Sequence, residues 1–495
     1  MPDVLIRRYG NLIDISSDGT NPPDPRVIAM LRPVLSYSHK TMLRGHHCYG
    51  PDGQKRTIDI EVRNMFNIEE GRLVTGFGFL TSVAEVLASH GVTAGYVDMK
   101  PPADPSVYVP DWDNVRSIME FRPGQEECLY YVSQNQCGLI DATMGFGKTF
   151  LFEAVSHLYP KATVDITVFS SDIAAGIRRR LSRTIPNVGQ VGGGKKFYGD
   201  RVTVYTAKSA HYAQGRNAHF LLGDEVHQLM TDSVADSISS VWRFTRNFGF
   251  SATPHGRADG ASARLEMFFG RTIFRMTYQE AKALGLVVPI HVRWLPIRMT
   301  HNPASGKDGV SRMRCGIWTN YERNRAIAED VRSNYPDVNK QILILVATVE
   351  HAVHLWQHLP EFSLCYGNMD DDRKSRYIQD GLLPRNFVNT TSDIRDRMRD
   401  EFEKGSLKRV IATDIWATGV DFVNLDVMYR ADGRSSDILD SQGPGRVSRI
   451  SEDSDKYMGT VVDCLDLFDK NFKNRSYTRR RNYTSMGWSQ DWPRI

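Results

Sequence analysis

The sequence predicts an α/β fold built on parallel sheets and divided among two or three domains, and three observations lead there. At 495 residues the chain is too long for one hydrophobic core. From about residue 138 onward, short apolar runs alternate with helical stretches, the pattern of a parallel sheet covered by helices. One of those junctions, Gly138 to Phe150, reads Gly-Leu-Ile-Asp-Ala-Thr-Met-Gly-Phe-Gly-Lys-Thr-Phe, an apolar strand end running through glycines into a helix start.

Composition narrows the class. With 41% hydrophobic and 24% charged residues the chain reads as an ordinary globular protein. No apolar run approaches the roughly 20 residues that cross a bilayer, so no membrane association is expected. The start, Met1-Pro-Asp-Val-Leu-Ile-Arg-Arg, lacks the apolar stretch of a signal peptide, which predicts a cytoplasmic protein. Cys48, Cys128, Cys137, Cys315, Cys365 and Cys464 form no CxxC pair, which suggests neither a disulfide framework nor a zinc site. His46, His47 and Cys48 read as an exposed turn. A formal net charge of +4 neither demands nor excludes a nucleic-acid partner.

Residues 1–112 read as a small mixed α/β module. Two turn-rich patches, Asn21-Pro22-Pro23-Asp24-Pro25 and Tyr49-Gly50-Pro51-Asp52-Gly53, frame its short segments, and Leu80 to His90 carries Val83, Val86 and Leu87 on one side of a helix. Lys40, Arg44, Lys55 and Arg56 gather around one loop; DNA contact and a solvated surface both fit them. Pro101 to Asp113, acidic and Pro-rich, reads as a linker.

Gln125 follows in Phe121-Arg122-Pro123-Gly124-Gln125. Its amide can pair with the N6 donor and N7 acceptor of adenine, and a helix-opening turn explains it equally well. The glycines Gly145 and Gly147 let the backbone curl so that successive N–H groups face an anion. Lys148 can then reach the β- and γ-phosphates and Thr149 can hold Mg²⁺ at the helix start. Ala142 stands where the common phosphate-loop pattern has its first glycine.

Downstream, Ala162 to Ser170 and Val202 to Thr206 are strands. Phe220-Leu-Leu-Gly-Asp-Glu-Val-His227 is a strand that delivers Asp224 and Glu225 to the carboxyl edge of the sheet, where open α/β folds bind ligands. Asp224 suits the metal, Glu225 suits the general base that polarises water, and His227 is placed to relay the state of the γ-phosphate. Phe248 to Pro254 is another strand whose Ser251 and Thr253 can bond that strand end.

A second α/β unit is expected from about Val288. It contains a helix from Trp318 to Tyr335, a buried strand from Gln341 to Ala347 and a charged helical stretch from Asp370 to Glu403 broken at Pro384 and Asn389 to Ser392. A strand from Arg409 to Asp414, Ala417-Thr-Gly-Val-Asp421, and Gln442-Gly-Pro-Gly-Arg-Val-Ser-Arg449 follow. Arg446 and Arg449 would share one helical face and could grip a single anion. From Lys470 to Arg481 the charged residues are all basic, with Phe472 and Tyr477 between them; contact with nucleic acid and a solvated tail both fit.

In this order the segments resemble the superfamily 2 helicases of the DExH type, over residues from about 115 to 465. The resemblance implies two tandem RecA-like parallel-sheet domains behind a small N-terminal α/β domain. The boundaries expected are 1–112 for the accessory domain, 113–287 for the ATP-binding domain, 288–465 for the second domain and 466–495 for a basic and aromatic tail. It implies that ATP and Mg²⁺ are the cofactors. Gln125, Met144, Gly145, Phe146, Gly147, Lys148, Thr149, Gly419 and Asp421 would bind the nucleotide, with Thr149 and Asp224 on the metal. Lys148, Asp224, Glu225, Arg446 and Arg449 would be catalytic, the two arginines sensing the γ-phosphate. His227, Ser251, Thr253 and Gln442 would couple hydrolysis to movement, and Ser170, Thr206 and Thr413 would touch the strand's phosphates. A finer resemblance, carried by Arg72-Leu-Val-Thr-Gly-Phe-Gly-Phe-Leu80, is to phage recombination helicases of the UvsW type. It implies unwinding and branch migration of forked or branched DNA by a monomer, as in DNA recombination and repair in a bacteriophage-infected cell. A double-strand translocase and an RNA helicase are the alternatives. Extra residues at Gly381 to Ser392 depart from the usual pattern.

Overall fold

The computed structural model describes residues 2–42, 58–99, 104–229, 238, 241–242, 246–252, 261–416, 422–450 and 456–494. Thr253, Gly419 and Asp421 lie outside them, as do His46, His47, Cys48, Arg44, Lys55, Arg56 and the side chains of Lys40 and Gln442. Two compact units divide the chain, Met1–Thr277 and Tyr278–Ile495.

The first unit opens with a five-stranded sheet in the order β5-β6-β2-β1-β7. Its strands are β1 (Val4–Tyr9), β2 (Leu12–Ser16), β5 (Phe66–Glu69), β6 (Arg72–Gly76) and β7 (Ala94–Asp98); β3 (Ser36–Met42) and β4 (Ile58–Asn64) pair as a separate antiparallel ribbon. Alternation of apolar and polar residues along β1 sends Val4 and Ile6 into a core with Ile13, Ile15 and Leu73, closed by Val83 and Leu87 of α1 (Leu80–Ser89). Val86 is only partly buried.

This module packs onto the rest of its unit. A Cβ on Gly78 would stand 1.9 Å from the Glu266 carbonyl oxygen, so only glycine allows the approach. Ser82 donates to Glu266 at 3.0 Å, and Arg8 bonds Gln136 and stacks 3.8 Å from the Phe77 ring centre. The stretch expected as a linker is likewise seated: Val107 is buried and Tyr108 meets His219 edge-on and Phe220 at a tilt, with Arg246 over its ring. Aromatic contact, which composition did not show, overrides the Pro-rich signal.

The remainder of the unit is an eight-stranded sheet ordered β11-β10-β12-β9-β13-β14-β8-β15. In chain order, α2 (Gln125–Gln134) precedes β8 (Cys137–Ala142), α3 (Lys148–Leu158), β9 (Val164–Val168) and α4 (Ser171–Leu181). Then come β10 (Gly189–Gly192), β11 (Lys195–Phe197), β12 (Val202–Thr206), β13 (Phe220–Asp224), β14 (Arg246–Ser251), α5 (Ala261–Phe269) and β15 (Thr272–Met276). Only β11 runs antiparallel. Strands β9 and β12 are buried at every residue, as parallel strands covered on both faces require.

The second unit is an all-parallel seven-stranded sheet ordered β18-β19-β17-β20-β21-β16-β22. It comprises β16 (Ile290–Ile297), β17 (Ile342–Leu345), β18 (Ser363–Cys365), β19 (Arg409–Ala412), β20 (Val427–Arg430), β21 (Gly459–Asp466) and β22 (Ser489–Asp491). Two apolar cores cover its two faces. The helix expected from Trp318 begins later, as α6 (Tyr321–Asn334), because Asn320 caps it and a π-turn, Arg314–Trp318, precedes it. The charged stretch splits into α7 (Asp371–Gln379) and α8 (Ser392–Glu403), capped by Asp370 and Thr391, with Pro384 in the break. After α9 (Asp437–Gln442), residues 470–485 are not a tail but a helix, α10 (Lys470–Ser485). It buries Phe472, Ser476, Arg479 and Tyr483, one stripe at helical spacing that the basic residues conceal in the sequence.

Candidate nucleotide site

At the carboxyl edge of the first unit's parallel sheet, β8 ends in the loop 143–147. Gly145 and Gly147 adopt positive φ of 85° and 94°, the left-handed backbone that leaves N–H groups facing inward. Lys148 and Thr149 open α3 immediately behind. Phe146 is fully buried and stacks on Phe274 at 5.4 Å, which fixes the loop from below.

Gln125 is turned onto this loop. Its Nε2 donates to the Phe146 carbonyl at 2.7 Å and its Oε1 accepts from Arg122 N at 2.9 Å, with 1% of the residue exposed. The side chain is thus a brace for the phosphate loop, and Gln125 also opens α2, the second of the two readings the sequence left open. Arg122, which the sequence did not single out, donates to the Gly145 carbonyl at 3.4 Å.

Strand β13, next to β14 in the sheet, carries Asp224 and Glu225 to the same edge. Lys148 Nζ donates to Glu225 Oε1 at 2.7 Å, both side chains being 13–15% exposed. Glu225 stands at φ 46°, a conformation a non-glycine residue rarely holds and one that concentrates at functional sites. Ser251, the last residue of β14, lies 3.4 Å from Glu225 Oε2 and 2.8 Å from His227 Nδ1. The sheet therefore brings Lys148, Glu225, His227 and Ser251 into one contact chain.

The residues present suit the groups the motifs imply. The glycine loop at the start of α3 forms a cradle for an anion, and Lys148 already rests on a carboxylate that stands in for phosphate oxygen. Thr149 and Asp224 offer hard oxygen donors of the kind Mg²⁺ takes.

Ser170 and Thr206 lie at this edge too. Ser170 caps α4 through the Ile173 N–H at 3.3 Å; Thr206 ends β12, is 7% exposed and donates to Ser209 at 3.0 Å. In the second unit, Thr413 follows β19 and is 7% exposed. Arg446 is buried in a 3₁₀ turn, Pro444–Ser448, and Arg449 ends that turn in extended backbone, so the helix expected to present both is a tighter turn. Lys456, whose ammonium is pushed down to about 8 by burial, donates to the Arg449 carbonyl at 2.9 Å.

Residues 118–256, the stretch containing this edge, match the family described as "Type III restriction enzyme, res subunit". No protein of curated function matches the chain's sequence. Among solved structures, the chain is similar to T4 UvsW at 15% identity over 99% of this chain and 98% of that one, with a TM-score of 0.41. It is similar to Saccharomyces cerevisiae Dbp5 bound to RNA and ADP BeF3 at 16% identity, over 78% and 93%, TM-score 0.52. It is similar to the Mycobacterium smegmatis helicase Lhr bound to single-stranded DNA and AMP-PNP at 15% identity, over 76% and 50%, TM-score 0.50. The latter two carry the fold: two tandem RecA-like domains, here with a small α/β domain in front. Among the described residues, no helix is long and apolar enough to cross a membrane.

Proposed function

We propose that this chain is a superfamily 2 motor, an ATP-dependent DNA helicase that couples hydrolysis to unwinding or branch migration of forked or junction DNA. The observation that carries the motor reading is the Lys148–Glu225 contact of 2.7 Å beside the glycine loop. A cation and a base held on each other are both made available when a phosphate takes the lysine. Lys148 then binds the β- and γ-phosphates, and Glu225 takes the proton of the attacking water. Thr149 and Asp224 would hold Mg²⁺, which would neutralise charge on the phosphates. Arg446 and Arg449 stabilise the charge on the transferring phosphoryl group, and Gly419 and Asp421 serve the nucleotide. His227, Ser251, Thr253 and Gln442 report the phosphate's loss, while Ser170, Thr206 and Thr413 hold strand phosphates. Residues 1–112 are an accessory domain to this motor.

DNA is favoured because the matching family is named for a restriction-enzyme subunit. The test is the ATPase rate with single-stranded DNA, duplex, forked DNA, a four-way junction and RNA side by side, with strand- and triplex-displacement assays. Forked or junction DNA should stimulate most. Stronger stimulation by RNA would reassign the substrate, and triplex displacement without strand separation would make the protein a double-strand translocase.

A further inference from the structure

The second unit holds a chain of alternating charges that the reading above does not use. It begins at the carboxyl edge beside Thr413 with Asp414, whose side chain is 52% exposed. Arg434 grips that carboxylate through both Nη atoms, the Nη1–Oδ2 bond being 2.9 Å, and its Nε reaches Asp432 Oδ2 at 3.3 Å. Asp432 in turn receives Arg430 Nη2 at 3.2 Å and Nε at 3.3 Å. Arg430 Nη1 donates to Asp440 Oδ1 at 2.6 Å. Asp440, which is fully buried, sits within α9, six residues before Arg446.

The topology explains why an arginine is needed in the middle. Strands β19 and β20 flank β17, so their carboxyl ends stand about 10 Å apart. Only a long side chain with a planar fork spans that gap while satisfying a carboxylate at each end. Burial deepens along the chain, from 52% at Asp414 through 31% at Arg434 and 7% at Asp432 to 2% and 0% at Arg430 and Asp440. Burial alone would raise the Asp432 carboxyl, but Arg430, Arg434 and Arg479 hold it down at about 2, so it stays charged. At the inner end, Asp440 is held further by Asn482 of α10 at 2.7 Å and Ser435 at 3.1 Å.

Buried charges tolerate no loss of a partner, since removing one leaves the next uncompensated. Movement of the exposed carboxylate therefore forces a choice on Arg434, which passes to Asp432 and Arg430 and ends on the segment bearing Arg446 and Arg449. We propose that Asp414–Arg434–Asp432–Arg430–Asp440 is an ionic relay, with Arg434 a positioning residue that links strand binding at Thr413 to the placement of Arg446. The relay rests on the motor reading above and deepens it.

The test uses the full chain carrying Arg434→Ala, with Asp414→Asn as a milder companion. ATPase is measured with and without single-stranded oligodeoxythymidylate, together with strand affinity by fluorescence anisotropy and thermal unfolding. The relay predicts a basal rate within about twofold of the parent and strand affinity within about threefold, while maximal stimulation falls about tenfold, a coupling loss of about 1.4 kcal/mol. Asp414→Asn should lose about half of the stimulation, and adding it to Arg434→Ala should change nothing further, because both break one link. Stimulation preserved in Arg434→Ala overturns the relay. So does a loss that merely tracks weaker strand binding or a lowered melting temperature. If the parent itself shows no stimulation by any nucleic acid, the motor reading falls first and the relay with it.

Discussion

The two parallel sheets present their carboxyl edges differently. In the first unit, Lys148 and Glu225 sit at 13–15% exposure, one cation on one carboxylate, with Ser251 and His227 alongside. In the second, Arg430, Asp432, Asp440, Asp463 and Arg479 are buried into a ladder in which every carboxylate meets an arginine. The contrast teaches what each edge is for. A site that admits an anion keeps its cation on a partner that water and phosphate can replace, so the desolvation cost stays low. A scaffold that only positions groups can bury its charges, because nothing has to come between them.

The strongest way to break this contrast is Lys148→Ala. On the open edge the proposed role of the lysine is chemical and its packing is slight, so ATP turnover should fall about a thousandfold while the melting temperature moves by less than about 2 °C. Turnover near the parent rate would remove the lysine from the site. A melting temperature that collapsed with turnover would show the first edge to be as structural as the second.

The buried edge should answer the other way. Arg479 donates to Asp463 at 2.9 Å and to the Cys464 carbonyl at 2.7 Å, and Tyr483 donates to Asp463 at 2.7 Å. Arg479→Met leaves Asp463 buried with less compensation and should destabilise the second unit by about 3 kcal/mol, which calorimetry reads as a drop of about 10 °C. A neutral result would show that the ladder adds no stability over an apolar filling.

This difference also sets what could be read from the sequence. The first edge is legible because its groups arrive in short contiguous runs: Gly145 to Thr149, Asp224 to His227, and Ser251. The broken helix 370–403 was legible through Pro384. The second edge was not, because Arg430, Asp440, Asp463 and Arg479 come from four separated segments and no spacing links them. The 470–481 run was misleading in the same way: its charge suggests a surface, while the 4-3-4 spacing of Phe472, Ser476, Arg479 and Tyr483 marks the buried stripe. Gln125 shows a third case, since an amide's partner cannot be chosen from residue type alone.

The effect that vanishes at acid pH comes from a carboxyl buried in the otherwise open unit. Asp165 lies in the middle of β9, 2% exposed, and accepts from Trp242 Nε1 at 2.8 Å. Burial raises its carboxyl to about 7, against the lesser pull of the Trp242 N–H and Arg216. The folded pKa is above the unfolded one, so the folded chain binds this proton more tightly. Its contribution is fully present below about pH 4 and is lost as pH rises through 7. Asp165→Asn keeps an oxygen for Trp242 and removes the charge. Relative to the parent, its stability advantage should therefore grow from pH 4 to 7 by on the order of 4 kcal/mol and stay flat above, as followed by denaturant midpoints across pH. A difference independent of pH would mean that Asp165 is ionised throughout in the folded chain, and that the first unit too can hold a buried charge without an arginine at contact.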